Sequence, residues 1–150
     1  MYSSAKGRAK GYYIWLTLSI VCAVGIFLSS SVEGDQSGAA SMALAEYIRQ
    51  LLDIEPETLN FIVRKGAHLT VFAALGFCVA NTVSYKVEPR YKTLLIAWAI
   101  ASAYGVLDEI HQYFVPLRVM DVTDMLINSV GAMIGAAVAV ILLVKGRVYG

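Results

Sequence analysis

One stretch of the sequence places groups that bind protons, anions or metals among strongly apolar neighbours. Between Tyr104 and Asn128 the chain reads YGVLDEIHQYFVPLRVMDVTDMLIN, and its ionisable and amide side chains are Asp108, Glu109, His111, Gln112, Arg118, Asp121, Asp124 and Asn128. A second polar group opens another apolar run with Arg64, Lys65 and His68. Burying such charges is unfavourable unless each is paired or hydrated. We therefore expect the two groups to meet.

The residue types favour acid–base chemistry beside a bound anion. His68, Asp108 and Glu109 are the candidate catalytic residues, because imidazole and desolvated carboxyl groups transfer protons near neutral pH. Bases suit phosphate or carboxylate, and the candidate ligand-binding residues are Arg64, Lys65, Gln112, Arg118, Asp121, Asp124 and Asn128. The carboxylates with His68 and Gln112 are also potential ligands of a divalent cation, but no HExxH-like spacing occurs. No metal site is assigned, and no cofactor is identified.

Several of these residues have a purely structural interpretation. Asp121 is equally well explained as the N-cap of a helix, with Asp124 stabilised in its first turn by the helix dipole. Arg64 or Lys65 alone is typical of a base that snorkels to the membrane interface. His111 is expected at the interface rather than in catalysis. Asp108 and Glu109 require nearby cations, and a structural ion-pair network with the available bases, Arg64, Lys65 and Arg118, remains an alternative.

The composition is that of an integral membrane protein. The 150 residues are 58% hydrophobic and only 15% charged, with a mean hydropathy of +0.64. No basic stripe with interleaved aromatic residues is present, so nucleic acid is not an expected partner. Cys22 and Cys78 lie in separate apolar runs and are interpreted as packing residues.

The apolar runs predict an all-α fold of four transmembrane helices, at residues 12–29, 61–83, 93–113 and 122–144, within a single domain over residues 1–150. The uninterrupted apolar part of the second run begins only at Leu69, and that of the third ends at Leu107. Each is shorter than the ~20 residues that a span requires. Both helices must therefore include their polar neighbours.

The segment between the first two spans is acidic and is predicted to lie outside the cytoplasm. Within it an amphipathic helix is expected at about residues 41–54, with Ser41 as its cap and Pro56 as its stop, either packed on the bundle or covering a site. Eight of the twelve bases lie in the two tails and the second link, which predicts cytoplasmic N- and C-termini. The polar residues at 64–68, 108–112 and 121–128 then all fall in the outer leaflet.

Small residues indicate where helices approach closely. Gly131 and Gly135 have the small-x-x-x-small spacing that allows tight packing in membranes. The predicted complementary grooves are Gly76 with Ala80 on the second helix, and Ala101 with Gly105 on the third.

Three segments in this order resemble the VanZ-like family of membrane proteins. The family patterns K-x-x-H-x-x-x-F, D-E-x-x-Q-x-F-x-P-x-R and D-x-x-D-x-x-x-N-x-x-G are filled at every position. The matching residues are Lys65, His68, Phe72, Asp108, Glu109, Gln112, Phe114, Pro116, Arg118, Asp121, Asp124, Asn128 and Gly131. The first helix and the acidic loop carry no recognisable motif of the family.

The resemblance implies a multi-pass protein of the bacterial cell membrane, associated with resistance to teicoplanin-type glycopeptides. We expect its outward-facing polar cavity to bind or modify an anionic envelope molecule, such as a membrane lipid or a lipid-linked precursor. One alternative is a hydrolase or transferase acting on a lipid-linked phosphate. Another is an assembly partner that packs through Gly131 and Gly135. A transporter is disfavoured, because no continuous polar path crosses the inner leaflet. The sequence leaves open whether two copies form a homodimer and whether the protein is an enzyme.

Overall fold

The computed structural model of the chain describes residues 2–49 and 55–148. Within those residues every regular element is an α-helix. In chain order these are α1 (Tyr2–Ser30), α2 (Gly34–Arg49), α3 (Pro56–Val83), α4 (Arg90–Tyr113) and α5 (Val122–Val148). Four segments of the described residues are long and apolar enough to cross a membrane: Gly7–Ser30, Glu57–Val83, Arg90–Tyr113 and Val122–Val144. The predicted all-α fold is confirmed, with four helices that are long and apolar enough to span a membrane.

The helices extend beyond the apolar runs at their N-terminal ends. Helix α3 begins at Pro56, five residues before the predicted span at 61–83. Proline fits the first turn of a helix because the backbone N–H that it lacks would have no partner there. Pro56 therefore begins helix α3, and in the sequence it also follows helix α2. Helix α4 likewise begins at Arg90 rather than at residue 93.

The predicted boundaries of the amphipathic helix were wrong at its N-terminal end. Helix α2 begins at Gly34, so Ser41 lies within the helix and is not its cap. Its packing against α3 brings Leu44 to a cavity between the helices. The C-terminal part of the predicted helix, residues 50–54, lies outside the described residues.

Helices α3 and α5 pack most closely, and glycines make this approach possible. A Cβ atom at Gly135 would overlap the backbone oxygen of Ala73, and one at Gly131 would overlap that of Leu69. In the opposite direction, Gly76 faces the backbone of Ala132. The predicted close packing of these small residues is confirmed. Since the seam is internal to the chain, the alternative in which Gly131 and Gly135 bind another protein loses the surface on which it depended.

The helix bundle has a core built mainly of small residues and an apolar exterior. Phe72 is fully buried in a cluster with six buried alanines, Ala80, Ala97, Ala101, Ala132, Ala136 and Ala139. Large apolar side chains, including Ile14 on α1, Ile100 on α4 and Ile134 on α5, remain exposed on the outside of the bundle. An apolar exterior around a core of small residues is typical of helices that pack within lipid.

The two ends of the bundle differ in chemistry. At one end the start of α1 meets the link between α3 and α4, where the rings of Tyr12 and Tyr85 lie 6.1 Å apart. The ammonium group of Lys86 lies 5.1 Å from the centre of the Tyr12 ring. This end carries aromatic residues and bases, as membrane interfaces often do. The opposite end gathers the polar residues described next.

Candidate functional site

The first part of the polar cluster is an ion-pair group that joins α3 to α5. Lys65 Nζ donates to Asp121 Oδ2 at 2.8 Å and to Asp124 Oδ1 at 2.6 Å. Arg64 adds a longer pair, 3.7 Å, to the other oxygen of Asp124. Asp124 is completely buried, so these bases compensate a charge that has no access to water. Arg64, Lys65, Asp121 and Asp124 therefore form a charge-balanced group of two bases and two acids.

Asp121 has two roles in this group. Its Oδ1 accepts the backbone N–H of Thr123 at 2.8 Å, which is the N-cap arrangement predicted for the start of α5. Its Oδ2 receives the hydrogen bond from Lys65, and that bond lowers the pKa of Asp121 to about 2. The predicted N-cap role of Asp121 is therefore confirmed, and its ion pair with Lys65 is an additional role that the sequence did not predict.

His68 is oriented by an amide on α5. Its Nδ1 lies 3.0 Å from Asn128 Oδ1. Because an amide oxygen only accepts, Nδ1 is the donor and Nε2 keeps its lone pair. Among the described residues Nε2 has no hydrogen-bond partner. The Asn128 side chain is fully buried, and its Nδ2 has no partner either.

Asp108 and Glu109 form the second part of the cluster, and no base pairs with them. They are 5% and 0% exposed. Gln112 Nε2 donates to Asp108 Oδ2 at 3.1 Å, and the backbone N–H of Asp121 donates to Glu109 Oε2 at 3.1 Å. Within the described residues neither carboxylate makes an ion pair with lysine or arginine. The alternative of a structural ion-pair network around Asp108 and Glu109 does not hold for Arg64 and Lys65, because these two bases pair with the aspartates of α5 instead.

The three candidate catalytic residues nevertheless converge. One ligand atom each from His68, Asp108 and Glu109 lie within 4.8 Å of one another. They come from α3 and α4, whose polar ends lie at the same end of the bundle. The predicted meeting of the polar clusters is confirmed, and it produces an imidazole beside two buried carboxylates.

Arg118 is held at the rim by neutral oxygens. It donates to the backbone oxygens of Ser29 and Val32, at 3.3 and 3.2 Å, and to Gln112 Oε1 at 3.3 Å. Leu117 before it has a φ of 59°, a left-handed conformation that is strained for leucine. Burial, followed by the nearby Arg64 guanidinium, lowers the pKa of Arg118. The turn between α4 and α5 thus places Arg118 close to a second arginine and within electrostatic reach of Asp108 and Glu109, and among the described residues its hydrogen bonds go to neutral oxygens.

A cavity of about 360 Å³ connects these groups, a size within the range of small-ligand sites. Its polar wall is formed by Arg64, His68, Asp108, Gln112 and Arg118. Ile26, Val71 and Phe72, which lie further along α1 and α3, supply an apolar wall. A smaller pocket of about 140 Å³ shares Arg64 and Arg118. The two arginines therefore border both spaces.

The family profile described as VanZ/LLP1 matches residues 15–143. The chain belongs to the VanZ/LLP1 family. The match includes most of α1 and all of α2, so the resemblance extends well beyond the segments that carry recognisable motifs. No curated protein and no solved structure matches the chain.

The VanZ motif residues divide between the cavity and its support. Of the predicted ligand-binding residues, Arg64, Gln112 and Arg118 line the cavity. The others support it from behind: Lys65, Asp121, Asp124 and Asn128. His111 lies apart from the cluster and stacks on Phe27 with ring centres 4.5 Å apart, as its predicted non-catalytic role requires.

Sequence reasoning missed the part that α1 plays in this VanZ site. Ser30 Oγ accepts from Gln112 Nε2 at 3.3 Å, and the backbone of Ser29 and Val32 holds Arg118. The only signal in the sequence was the run of serines at residues 29–31, directly after an apolar span. Backbone acceptors carry no residue signature, so this part of the site was not predictable from residue types.

Proposed function

We propose that this VanZ-family protein binds an anionic cell-envelope molecule in the cavity, either a phosphate-bearing lipid or a lipid-linked precursor. Through that binding it lowers the access of teicoplanin-type glycopeptides to the cell surface. The observation that carries the proposal is Arg118, which lines the cavity while all its hydrogen bonds go to neutral oxygens.

The charge of the two arginines supports an anionic ligand. Arg64 is 46% exposed on its side chain, and its ion pair with Asp124 is long. Burial lowers the pKa of Arg118, and repulsion from the nearby Arg64 guanidinium lowers it further. An anion between the two guanidinium groups removes that repulsion and accepts bidentate hydrogen bonds, the geometry in which arginine binds phosphate.

The shape of the cavity supports an amphiphile. Its polar wall lies at the end of the bundle, and its apolar wall continues along α1 and α3 towards the middle of the span. A volume of about 360 Å³ accommodates a head group and the first part of one chain, and the rest of the chain remains in the surrounding lipid. Leu44 on α2 forms part of the wall and is available to cover the bound molecule.

The bases at the opposite end of the bundle support placing the cavity in the outer leaflet of the bacterial cell membrane. Arg8, Lys86 and Arg90 belong to this basic end, and basic segments are retained in the cytoplasm. The N- and C-termini are then cytoplasmic, and α2 lies outside. In that orientation the cavity faces the molecules that glycopeptides approach.

A second candidate is chemical modification of the bound molecule, as a membrane hydrolase or transferase acting on a lipid-linked phosphate. The convergence of His68 with Asp108 and Glu109 favours it. In this mechanism the free Nε2 of His68 accepts a proton from the attacking water or hydroxyl. Arg64 and Arg118 hold the phosphate and stabilise the charge that develops on it.

Native mass spectrometry of the detergent-purified protein tests binding. We expect a phosphate-bearing lipid to remain on the unaltered protein and to be lost in Arg118→Gln. The matched control is Arg90→Gln, which removes an arginine at the opposite end that pairs with Glu88 and leaves the cavity intact. Equal retention of the same lipids by all three proteins would contradict the proposal.

Expression in a glycopeptide-susceptible host separates binding from modification. At equal protein levels, Arg118→Gln should abolish any rise in the teicoplanin concentration needed to stop growth, because both candidates need the anion. His68→Ala should abolish it only if the molecule is modified. In that case the envelope lipid profile changes with the unaltered protein and not with His68→Ala, whereas identical profiles from the two proteins exclude modification.

A further inference from the structure

The deepest part of the site holds more negative charge than the protein balances. Asp108 and Glu109 are almost completely buried, yet every hydrogen bond that they accept comes from an amide of Gln112 or of the Asp121 backbone. A buried carboxylate without a cation is strongly disfavoured. Lys65 donates to Asp121 and Asp124, and Arg118 attracts Asp108 and Glu109 while its hydrogen bonds among the described residues go to neutral oxygens.

We propose that His68, Asp108 and Glu109 bind one divalent metal ion of the Mn²⁺ or Zn²⁺ type. Their three ligand atoms already lie within 4.8 Å of one another. In such sites each ligand lies about 2.0–2.2 Å from the ion, so the three atoms must approach one another further when the ion binds. Two carboxylates and a dication then form a neutral group.

The residues around these three support a metal site. A histidine that binds a metal typically donates its other ring N–H to a neighbouring oxygen, which fixes the tautomer. His68 makes this contact through Nδ1 to Asn128 Oδ1, and Nε2 remains free for the ion. Asn128 is fully buried and its Nδ2 has no partner. Within the described residues the one side-chain hydrogen bond of this buried amide is therefore the contact that orients His68.

The donor set indicates the class of ion. One imidazole nitrogen with carboxylate oxygens suits Mn²⁺ and Zn²⁺, whereas soft Cu⁺ prefers sulfur ligands. Three protein ligands leave coordination positions open, and His68 and Asp108 both line the cavity. An anion held by Arg118 is then able to place an oxygen on the ion. This last step rests on the proposed function, but binding of the ion does not.

Titration of the chelator-treated, detergent-purified protein with Mn²⁺ tests the site, with free Mn²⁺ followed by electron paramagnetic resonance and no lipid added. We expect one ion per chain, displaced by Zn²⁺. Affinity should fall at least about tenfold in His68→Gln and Glu109→Gln, and about 10- to 100-fold in Asn128→Ala, which alters only the orienting residue. The matched control is His111→Phe, which replaces the second of the two histidines and keeps a ring against Phe27.

The melting temperature in chelator shows whether each variant folds, and the same measurement with Mn²⁺ gives a second readout. Added Mn²⁺ should raise the melting temperature of the unaltered protein and of His111→Phe, because the ion binds only the folded state. It should not raise that of a folded Glu109→Gln variant. Absence of Mn²⁺ and Zn²⁺ binding to the unaltered protein would overturn the proposal, and so would undiminished binding to folded Glu109→Gln. Loss of lipid from Arg118→Gln with Mn²⁺ binding retained would show that the two sites are separable.

Discussion

Two groups of charged side chains lie next to each other at the polar end of the bundle and differ in how their charge is balanced. Lys65, with help from Arg64, compensates Asp121 and Asp124 through short hydrogen bonds. Asp108 and Glu109 lie beside them and are almost completely buried, and from the described residues they accept hydrogen bonds from amide N–H groups alone. The first group is complete within the protein, whereas the second requires a proton or a cation from outside.

The difference separates residues that hold the fold from residues available for chemistry, although both sets belong to the same family motifs. A buried carboxylate that is already paired with a base has little tendency to bind a further cation. A buried carboxylate that lies beside a cavity without a paired base favours the binding of a ligand. Substitutions in the two groups should therefore have opposite consequences for stability and for binding.

The largest effect is expected for Lys65→Met, which keeps the length of the side chain and removes its charge. Asp124 would be left buried with only the distant Arg64, so we expect a loss of about 3–5 kcal/mol of unfolding free energy. Unfolding in mixed detergent by added dodecyl sulfate measures it. Lys92→Met, at an exposed position, is the control and should be nearly neutral. Similar values for the two variants would remove the distinction between the groups.

The next effect is expected at the seam that holds both groups in register. Gly135→Ala places a Cβ against the Ala73 carbonyl and forces α3 away from α5, at a cost of about 1–3 kcal/mol. The contacts of Lys65 with Asp124 and of His68 with Asn128 both cross this seam, so stability and cation binding should fall together. Gly25→Ala on α1, where no atom lies within 4 Å of the added Cβ, should be neutral or slightly stabilising. A loss of one property without the other would show that the groups are positioned independently.

Glu109→Gln should act in the opposite direction. In chelator, removing an unbalanced buried charge should leave stability within about 1 kcal/mol of the unaltered protein or raise it slightly. The amide oxygen can still accept the N–H of Asp121, so little hydrogen bonding is lost. The same unfolding assay measures the change. A loss as large as that of Lys65→Met would mean that Glu109 already has a balancing charge.

The smallest effect is the pH dependence of stability that arises from Asp121, a partly exposed member of the charge-balanced group. The folded-state pKa of Asp121 is lowered to about 2 from its usual 3.8. Its contribution to stability is therefore present above about pH 4 and is lost as the pH falls towards 2. Because the side chain is 40% exposed, solvent screening limits this contribution to at most about 1 kcal/mol. The difference in melting temperature between Asp121→Asn and the unaltered protein should shrink across that range. A constant difference would show that the charge of Asp121 contributes nothing.

The membrane spans and the meeting of the polar clusters were predictable because both follow from length. A span needs about 20 residues, and neither the run from Leu69 nor the run ending at Leu107 reaches that length. The polar ends of α3 and α4 therefore had to enter the membrane, and Lys65 and Asp108 had to lie at the same end. The glycine spacing of α5 identified its partner surface by the same kind of argument.

The pairing within the cluster was not predictable from the sequence. Charge alone does not decide whether Lys65 reaches Asp108 or Asp124. That choice depends on the close approach of α3 to α5, which Gly131 and Gly135 allow. This approach brings Lys65 to Asp124 rather than to the carboxylates of α4. The start of α2 at Gly34 was missed for a related reason, because the first turns of that helix carry no amphipathic pattern. The position of Arg118 depends on hydrogen bonds to backbone oxygens. Every residue possesses such an oxygen, so these contacts leave no signal in the sequence.

The pairing of α3 with α5 also has a consequence for the order in which the chain enters the membrane. During synthesis Lys65 and His68 emerge first, and the residues that they contact follow 56, 59 and 60 positions later. Until α5 is made, Lys65 lacks the two aspartates that it binds in the folded protein, and we expect it to remain near the water boundary. The second span should therefore reach its final depth only after the fourth has been inserted. Although α4 separates them in sequence, we expect α3 and α5 to complete their insertion as a single unit.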